Sequence, residues 1–262
     1  MSPALPRRLD WADWPAPDLR VDPLRTIAIL PTAAVEQHGP HLPLGTDLMI
    51  AEGMLATLRR LCPEDLDLRL LPVQAVGKSN EHLWAPGTLT LTAETALRAW
   101  VEIGRSVARA GVRKIVLINS HGGNLDLISI VARELRVQAG MLAVKAQWVG
   151  FGAPEGLYDA WEDRHGLHGG DMETSLMLHF RPELVEMRKA RRFGSTAEGA
   201  PIPPVGPTAL GWIASDLNPA GVVGDASVAT AEKGRATAEH QAAGLLALCA
   251  ALAALPLPAE GA

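Results

Sequence analysis

Five of the eight histidines (His38, His41, His82, His121 and His168) lie in polar, glycine-rich stretches and not inside the apolar runs of the chain. Loops on a rigid scaffold can turn several side chains toward one point, so such stretches are where chemistry is expected. The densest is Val35-Glu36-Gln37-His38-Gly39-Pro40-His41-Leu42-Pro43-Leu44-Gly45-Thr46-Asp47, which carries two carboxylates and two imidazoles. Carboxylate and imidazole together suit Zn, Mn or Fe, and in extended chain Glu36 and His38, two residues apart, point the same way. A second cluster, Ile118-Asn119-Ser120-His121-Gly122-Gly123-Asn124, contributes His121. A third offers His168 in a loop, followed by Gly169-Gly170-Asp171-Met172 and then Glu173 in the first turn of a helix. Acidic residues in a first turn are also favoured by the helix dipole alone, which is the plainer reading of Asp47 and Glu173. Against it stands the joint pattern, and no hydroxyl-nucleophile elbow, His-Glu-x-x-His helix or phosphate-cradling glycine loop competes with a metal site.

These residues need elements to position them. β-like runs are expected at 26–31, 68–73, 114–118 and 142–148. Helical stretches are expected at 47–60 with Thr46 as N-cap, at 92–110 with Gly111 as C-terminal cap, from the cap Asn124 to about residue 138, and at 171–180 and 228–253. Alternation of this kind predicts an α/β fold: a doubly wound, mostly parallel sheet with helices on both faces, three layers, in a single domain over 1–262. Residues 1–25 read as an N-terminal arm, and the Gly/Pro-rich residues 194–226 as a long ordered excursion. Ligands of open α/β sheets bind at the carboxyl ends of strands, so His121 should approach the same edge as His38.

The motifs also carry a resemblance. Glu36-Gln37-His38-Gly39-Pro40-His41-Leu42-Pro43 with Gly45-Thr46-Asp47 resembles the signature of the creatininase (creatinine amidohydrolase) family. Further matches follow in order: Gly77-x-Ser79-x-Glu81-His82 leading to Pro86-Gly87-Thr88, Asn119 to Asn124, His168 to Ser175, and Gly224-Asp225 with Ala231-Glu232-Lys233-Gly234. The resemblance implies a homohexamer with two divalent metal ions, Zn and/or Mn or else Fe, bridged by a carboxylate and a water, that hydrolyses a carbon–nitrogen bond of a non-standard or cyclic amide. Carried over, Asp47 bridges both metals, Glu36 and His121 hold one, and His38 the other. Creatininase proper has a Glu two residues after its second metal histidine, where this chain has Gly123, and Glu173 is the candidate replacement. The Gly-Gly form resembles relatives that act on formamides, peptides or other cyclic compounds. His168 is expected to protonate the leaving nitrogen. Ser79 and His82 are expected to line the substrate pocket, Glu81 reads equally as a surface charge, and His41 as a shaper of its loop. Two other readings compete: a non-catalytic mononuclear metal-binding oligomer, and a metal-dependent isomerase or lyase on a sugar-like substrate.

Bulk properties narrow the partners. With 262 residues, 48% of them hydrophobic and 20% charged, the chain can bury a sizeable core. A net charge of -5 provides no basic face, so nucleic acid is not expected. The longest apolar stretch, 242–257, falls short of the roughly 20 residues a membrane span needs. Arg7 and Arg8 precede no apolar run, and Cys62 and Cys249 form neither a metal cluster nor a disulfide framework, so a cytoplasmic protein is expected. Its expected partners are a small-molecule substrate and copies of itself.

Overall fold

The computed structural model describes residues 8–258; the first seven residues of the expected arm and residues 259–262 lie outside the described residues. In chain order the main elements are β1 (Ile27–Thr32), α1 (Thr46–Leu61), β2 (Leu68–Leu70), α2 (Ala93–Arg109), β3 (Lys114–Asn119), α3 (Leu125–Ala139) and β4 (Leu142–Gln147). They are followed by α4 (Ala160–His165), α5 (Asp171–Phe180), β5 (Arg192–Phe193), α6 (Ala214–Leu217), β6 (Gly224–Asp225) and α7 (Ala231–Ala254). β1 and β3 bury all six of their residues, as strands covered on both faces must.

The sheet has the order β2-β1-β3-β4, and every pairing in it is parallel. The chain leaves β1 through α1 to one side, reaches β2, and returns through α2 across β1 to β3. Right-handed crossovers running in opposite directions place their helices on opposite faces. Accordingly, Ile27, Ile29, Val116 and Ile118 pack with Ile50, Met54 and Leu58 of α1 and Ala238, Ala242 and Leu245 of α7. The alternate residues Ala28, Leu30, Ile115 and Leu117 face Trp100 and Val107 of α2 and Ile128, Val131 and Leu135 of α3. The expected doubly wound three-layer fold is therefore observed. Among the described residues no helix is long and apolar enough to cross a membrane.

Local departures have local causes. The strand expected at 68–73 stops at Leu70, ahead of Pro72, which has no N–H to give a ladder. Gly45, not Thr46, is the N-cap of α1; the Thr46 hydroxyl donates to the Pro43 carbonyl (2.7 Å) and closes the loop before the helix. Asn124 does not cap α3 with its side chain. The stretch read as loop before Gly170 contains α4, capped by Asp159, which accepts from the N–H groups of Trp161 and Glu162. α7 starts at Ala231 because Thr230 accepts from Lys233 N–H.

Candidate metal centre

The strand order reverses between β1 and β3, and the carboxyl ends of these two strands form the crevice that such a reversal opens. Thr32 at the end of β1 pairs with Asn119 at the end of β3, and its hydroxyl donates to Asn119 Oδ1 (3.0 Å). Asn119 Oδ1 also accepts His121 N–H (3.2 Å). Ser120 Oγ donates to the Asp47 carbonyl (3.0 Å), and Asn124 donates to the Ala33 carbonyl (3.1 Å) while accepting Lys78 N–H (2.9 Å). The polar residues of the second motif are thus struts between loops, which is why Asn124 is unavailable as a cap.

Those struts bring Glu36, His38, Asp47, His121, His168 and Glu173 together. His38 Nδ1 lies 3.1 Å from the Glu36 carbonyl and donates to it, which leaves Nε2 facing Asp47 Oδ1 (3.6 Å) and Glu173 Oε2 (3.8 Å). His121 is turned the other way: Nε2–H donates to the Lys78 carbonyl (3.0 Å), and Nδ1 faces Glu36 Oε1 (3.2 Å) and Asp47 Oδ2 (3.3 Å). Asp47 therefore presents one oxygen to each histidine. His168 gives Nε2–H to the Gln37 carbonyl (2.8 Å) and turns Nδ1 to Glu36 Oε1 (3.6 Å). Glu173 is anchored by Gly169 N–H (2.6 Å) and is the most exposed of the six.

Glu36 Oε1 and Oε2, His38 Nε2 and Asp47 Oδ2 are buried and have no hydrogen-bond partner among the described residues. Buried acceptors left this way are costly unless something else satisfies them. Three groups, Glu36–His38–His168, Glu36–Glu81–His121 and His38–Asp47–Glu173, each bring their donor atoms within 4.8 Å of one another. This mixed nitrogen and oxygen donor set fits divalent cations.

Charge is divided unevenly over the cluster. Burial opposes charge on His38, but Asp47, Glu173 and Glu36 outweigh it and raise its pKa to about 9. Burial also opposes charge on His121, and Glu36 and Asp47 overcome it and raise its pKa. Asp47 resists burial through both histidines and stays below the ordinary carboxylate range. Burial and the charge of His38 instead push His168 down to about 3 and His82 to about 4. Glu173 is pushed up to about 7 by burial, with Asp47 and Glu36 adding to it and His38 opposing.

Ser79 and His82, expected at the substrate, are buried behind the cluster. Ser79 Oγ lies 3.3 Å from His121 Nε2, and His82 Nε2 lies 3.3 Å from Glu36 Oε1. His41 stays outside, with Nε2 against the Gly169 carbonyl (3.1 Å) and Thr174 Oγ1 (3.0 Å). Trp148 is core and Trp84 is exposed. Two participants carried no distinct signal in the sequence. Gln37 Nε2 bonds His82 Nδ1 (2.7 Å) and the Gly221 carbonyl (2.9 Å). Glu162 of α4 accepts the N–H groups of Asp171 and Asp225 (both 2.7 Å) and thereby sets the start of α5.

A family model described as creatininase, creatinine amidohydrolase, matches residues 12–249. A mycofactocin precursor peptide peptidase of Mycobacterium tuberculosis is 33% identical over 213 residues, 79% of this chain and 78% of that protein. The creatinine amidohydrolase of Pseudomonas putida is 31% identical over 199 residues, 68% of this chain and 72% of the other. Two solved creatininase structures, a Mn form and a Zn-Zn form, each superpose with a TM-score of 0.72. They are 23% and 24% identical, each covering 92% of this chain and 97% of the other.

Proposed function

Because this chain belongs to the creatininase family of amidohydrolases, we propose that it uses a dinuclear metal centre to hydrolyse an amide carbon–nitrogen bond in a short peptide or peptide-like small molecule. The observation that carries this reading is Asp47: its two oxygens face two different imidazoles inside a buried set of acceptors that no described residue satisfies. Only a carboxylate can offer one oxygen to each of two cations. Glu36, Asp47 and His121 would hold one ion, and His38, Asp47 and Glu173 the other, each zinc or manganese. Bound there, the ions supply Lewis acidity toward the amide carbonyl and acidify a water.

The residues of the chain do the rest. The carbonyls of Glu36 and Lys78 fix the tautomers of His38 and His121, so that Nε2 of one and Nδ1 of the other are the donor atoms. His168, its Nε2–H tied to Gln37, keeps Nδ1 free to take up a proton and pass it to the leaving nitrogen. Burial keeps the ring neutral, so Nδ1 starts with its lone pair free. Ser79 and His82, packed against His121 and Glu36, hold ligands in place instead of touching substrate. A peptide-like substrate is supported by likeness to the peptide peptidase over 79% of the chain, against 68% for the creatinine enzyme. Exposed Leu83, Trp84, Ile202, Val205, Leu210 and Ile213 support a homo-oligomer, a hexamer by family resemblance. A cytoplasmic location follows the reading of the amino-acid sequence.

The test is metal content per chain on protein purified without chelator, repeated on Glu173→Ala, with hydrolysis assayed on short peptides, formamides and cyclic amides including creatinine. About two ions falling to about one, with cleavage of a peptide amide, is the expected result. One ion or fewer, unchanged by the substitution, overturns the dinuclear reading.

A further inference from the structure

Protein groups contact both ring nitrogens of His121. Nδ1 looks toward Glu36 and Asp47, while Nε2 faces the Lys78 carbonyl (3.0 Å), Ser79 Oγ (3.3 Å) and Glu81 Oε1 (3.4 Å). The Glu81 carboxylate is held there. Its other oxygen, Oε2, accepts from Lys78 Nζ (3.1 Å), and its side chain is only 12% exposed. The space it fills exists because residue 123 is glycine. A Cβ at Gly123 would overlap Glu81 Oε1 and would sit 2.5 Å from both His121 Nε2 and the Lys78 carbonyl. Any side chain at 123 must therefore displace Glu81 and crowd the His121 ring and the Lys78 carbonyl as well.

From this geometry we infer that Glu81 is a positioning residue for the metal centre, a carboxylate behind His121 that orients the ring and strengthens its Nδ1 as a donor, and that Gly123 is the opening that admits it. A ligating histidine whose outer N–H meets a carboxylate is a better-oriented and more basic ligand than one left to solvent. The Lys78 carbonyl sets the tautomer; Glu81 adds the negative charge that complements a ring bound to a cation. As an ion-pair partner of Lys78 alone, Glu81 would leave cation binding untouched. The inference rests on the metal reading of the same site.

The experiment measures zinc affinity of the full chain by competition with a chelator, together with the melting temperature of the metal-stripped protein and the kcat and KM of the loaded one. Glu81→Ala is expected to weaken the His121-side ion by roughly 10–100-fold and to lower kcat more than it changes KM, while the metal-stripped protein still folds and melts in one transition. Glu81→Gln, which still accepts but carries no charge, should recover part of the loss. Gly123→Ala crowds His121 Nε2 and the Lys78 carbonyl as well as Glu81, so its loss of affinity should exceed that of Glu81→Ala. Unchanged affinity in Glu81→Ala overturns this proposal alone. Loss of a whole ion would make Glu81 a direct ligand and also overturn it. Wild-type protein that binds no zinc at all would overturn the metal reading together with this one.

Discussion

Two carboxylates leave α5 two residues apart and end in opposite surroundings. Asp171 accepts from Ser175 Oγ (2.9 Å) and Lys233 Nζ (2.5 Å), and beside it Glu162 spends one oxygen on each of two backbone N–H groups. Every oxygen of that buried pair has a donor from the protein. Glu173 turns toward His38 instead, into a cluster where Glu36, His38 and Asp47 keep buried atoms without a hydrogen-bond partner among the described residues. Both clusters are enclosed and rich in charge, so burial of charge does not by itself mark a site. What separates them is satisfaction: a complete network holds structure together, and an incomplete one is built for something that binds. The complete one draws Gly170 against Gly224, where a Cβ on Gly224 would sit 2.5 Å from Gly170 Cα, and thereby fixes where His168 and Glu173 begin.

The comparison is sharpened most by Asp47→Ala. Removing the residue that faces both histidines is expected to abolish metal binding and hydrolysis together. Full metal occupancy in that variant, read by elemental analysis, would break the assignment. Lys233→Met attacks the satisfied cluster and should do the reverse, lowering stability while metal stays bound at low temperature. Stranding a fully buried partner costs about 3–5 kcal/mol; Lys233 is 23% exposed, so roughly 2–3 kcal/mol is expected in denaturant unfolding. Loss of metal with no loss of stability would contradict the division of labour.

The smallest effect is a pH dependence of the metal-stripped protein. His38 holds its proton up to about 9 when folded, against an ordinary 6.5, and His121 is raised too. Their stabilisation is complete below 6.5 and is lost as pH climbs toward 9. Glu173, raised to about 7, acts in the same direction at lower pH, whereas the lowered His82 and His168 act against it only below 6.5. The melting temperature of stripped protein should therefore fall between pH 6.5 and 9. Metal-loaded protein should not show this fall, because ligation already requires deprotonated imidazoles. A flat profile for stripped protein would mean that the cluster does not hold these protons.

Much of this arrangement was legible in the chain. The apolar runs around Ile27 and Ile115, the helical period over 92–110 and the turn at Gly111 placed the strands and helices, because burial period and capping act over a few residues. Residues at the carboxyl ends of neighbouring strands had to converge, which brought His38 and His121 to one edge. Segments without a period were harder: α4 is six residues long, and its Glu162 gave no sign of reaching Asp171 and Asp225.

The fold class and the motifs that supply most of the meeting groups follow from the chain alone, since strand and helix patterns and residue chemistry are local properties. Which nitrogen of each histidine faces inward, which oxygen of Asp47 meets which ring, and the filling of the gap at Gly123 by Glu81 are settled only on folding. Those outcomes depend on distances between segments far apart in the chain, and hydrogen-bond satisfaction and charge coupling change over fractions of an ångström that no local pattern encodes.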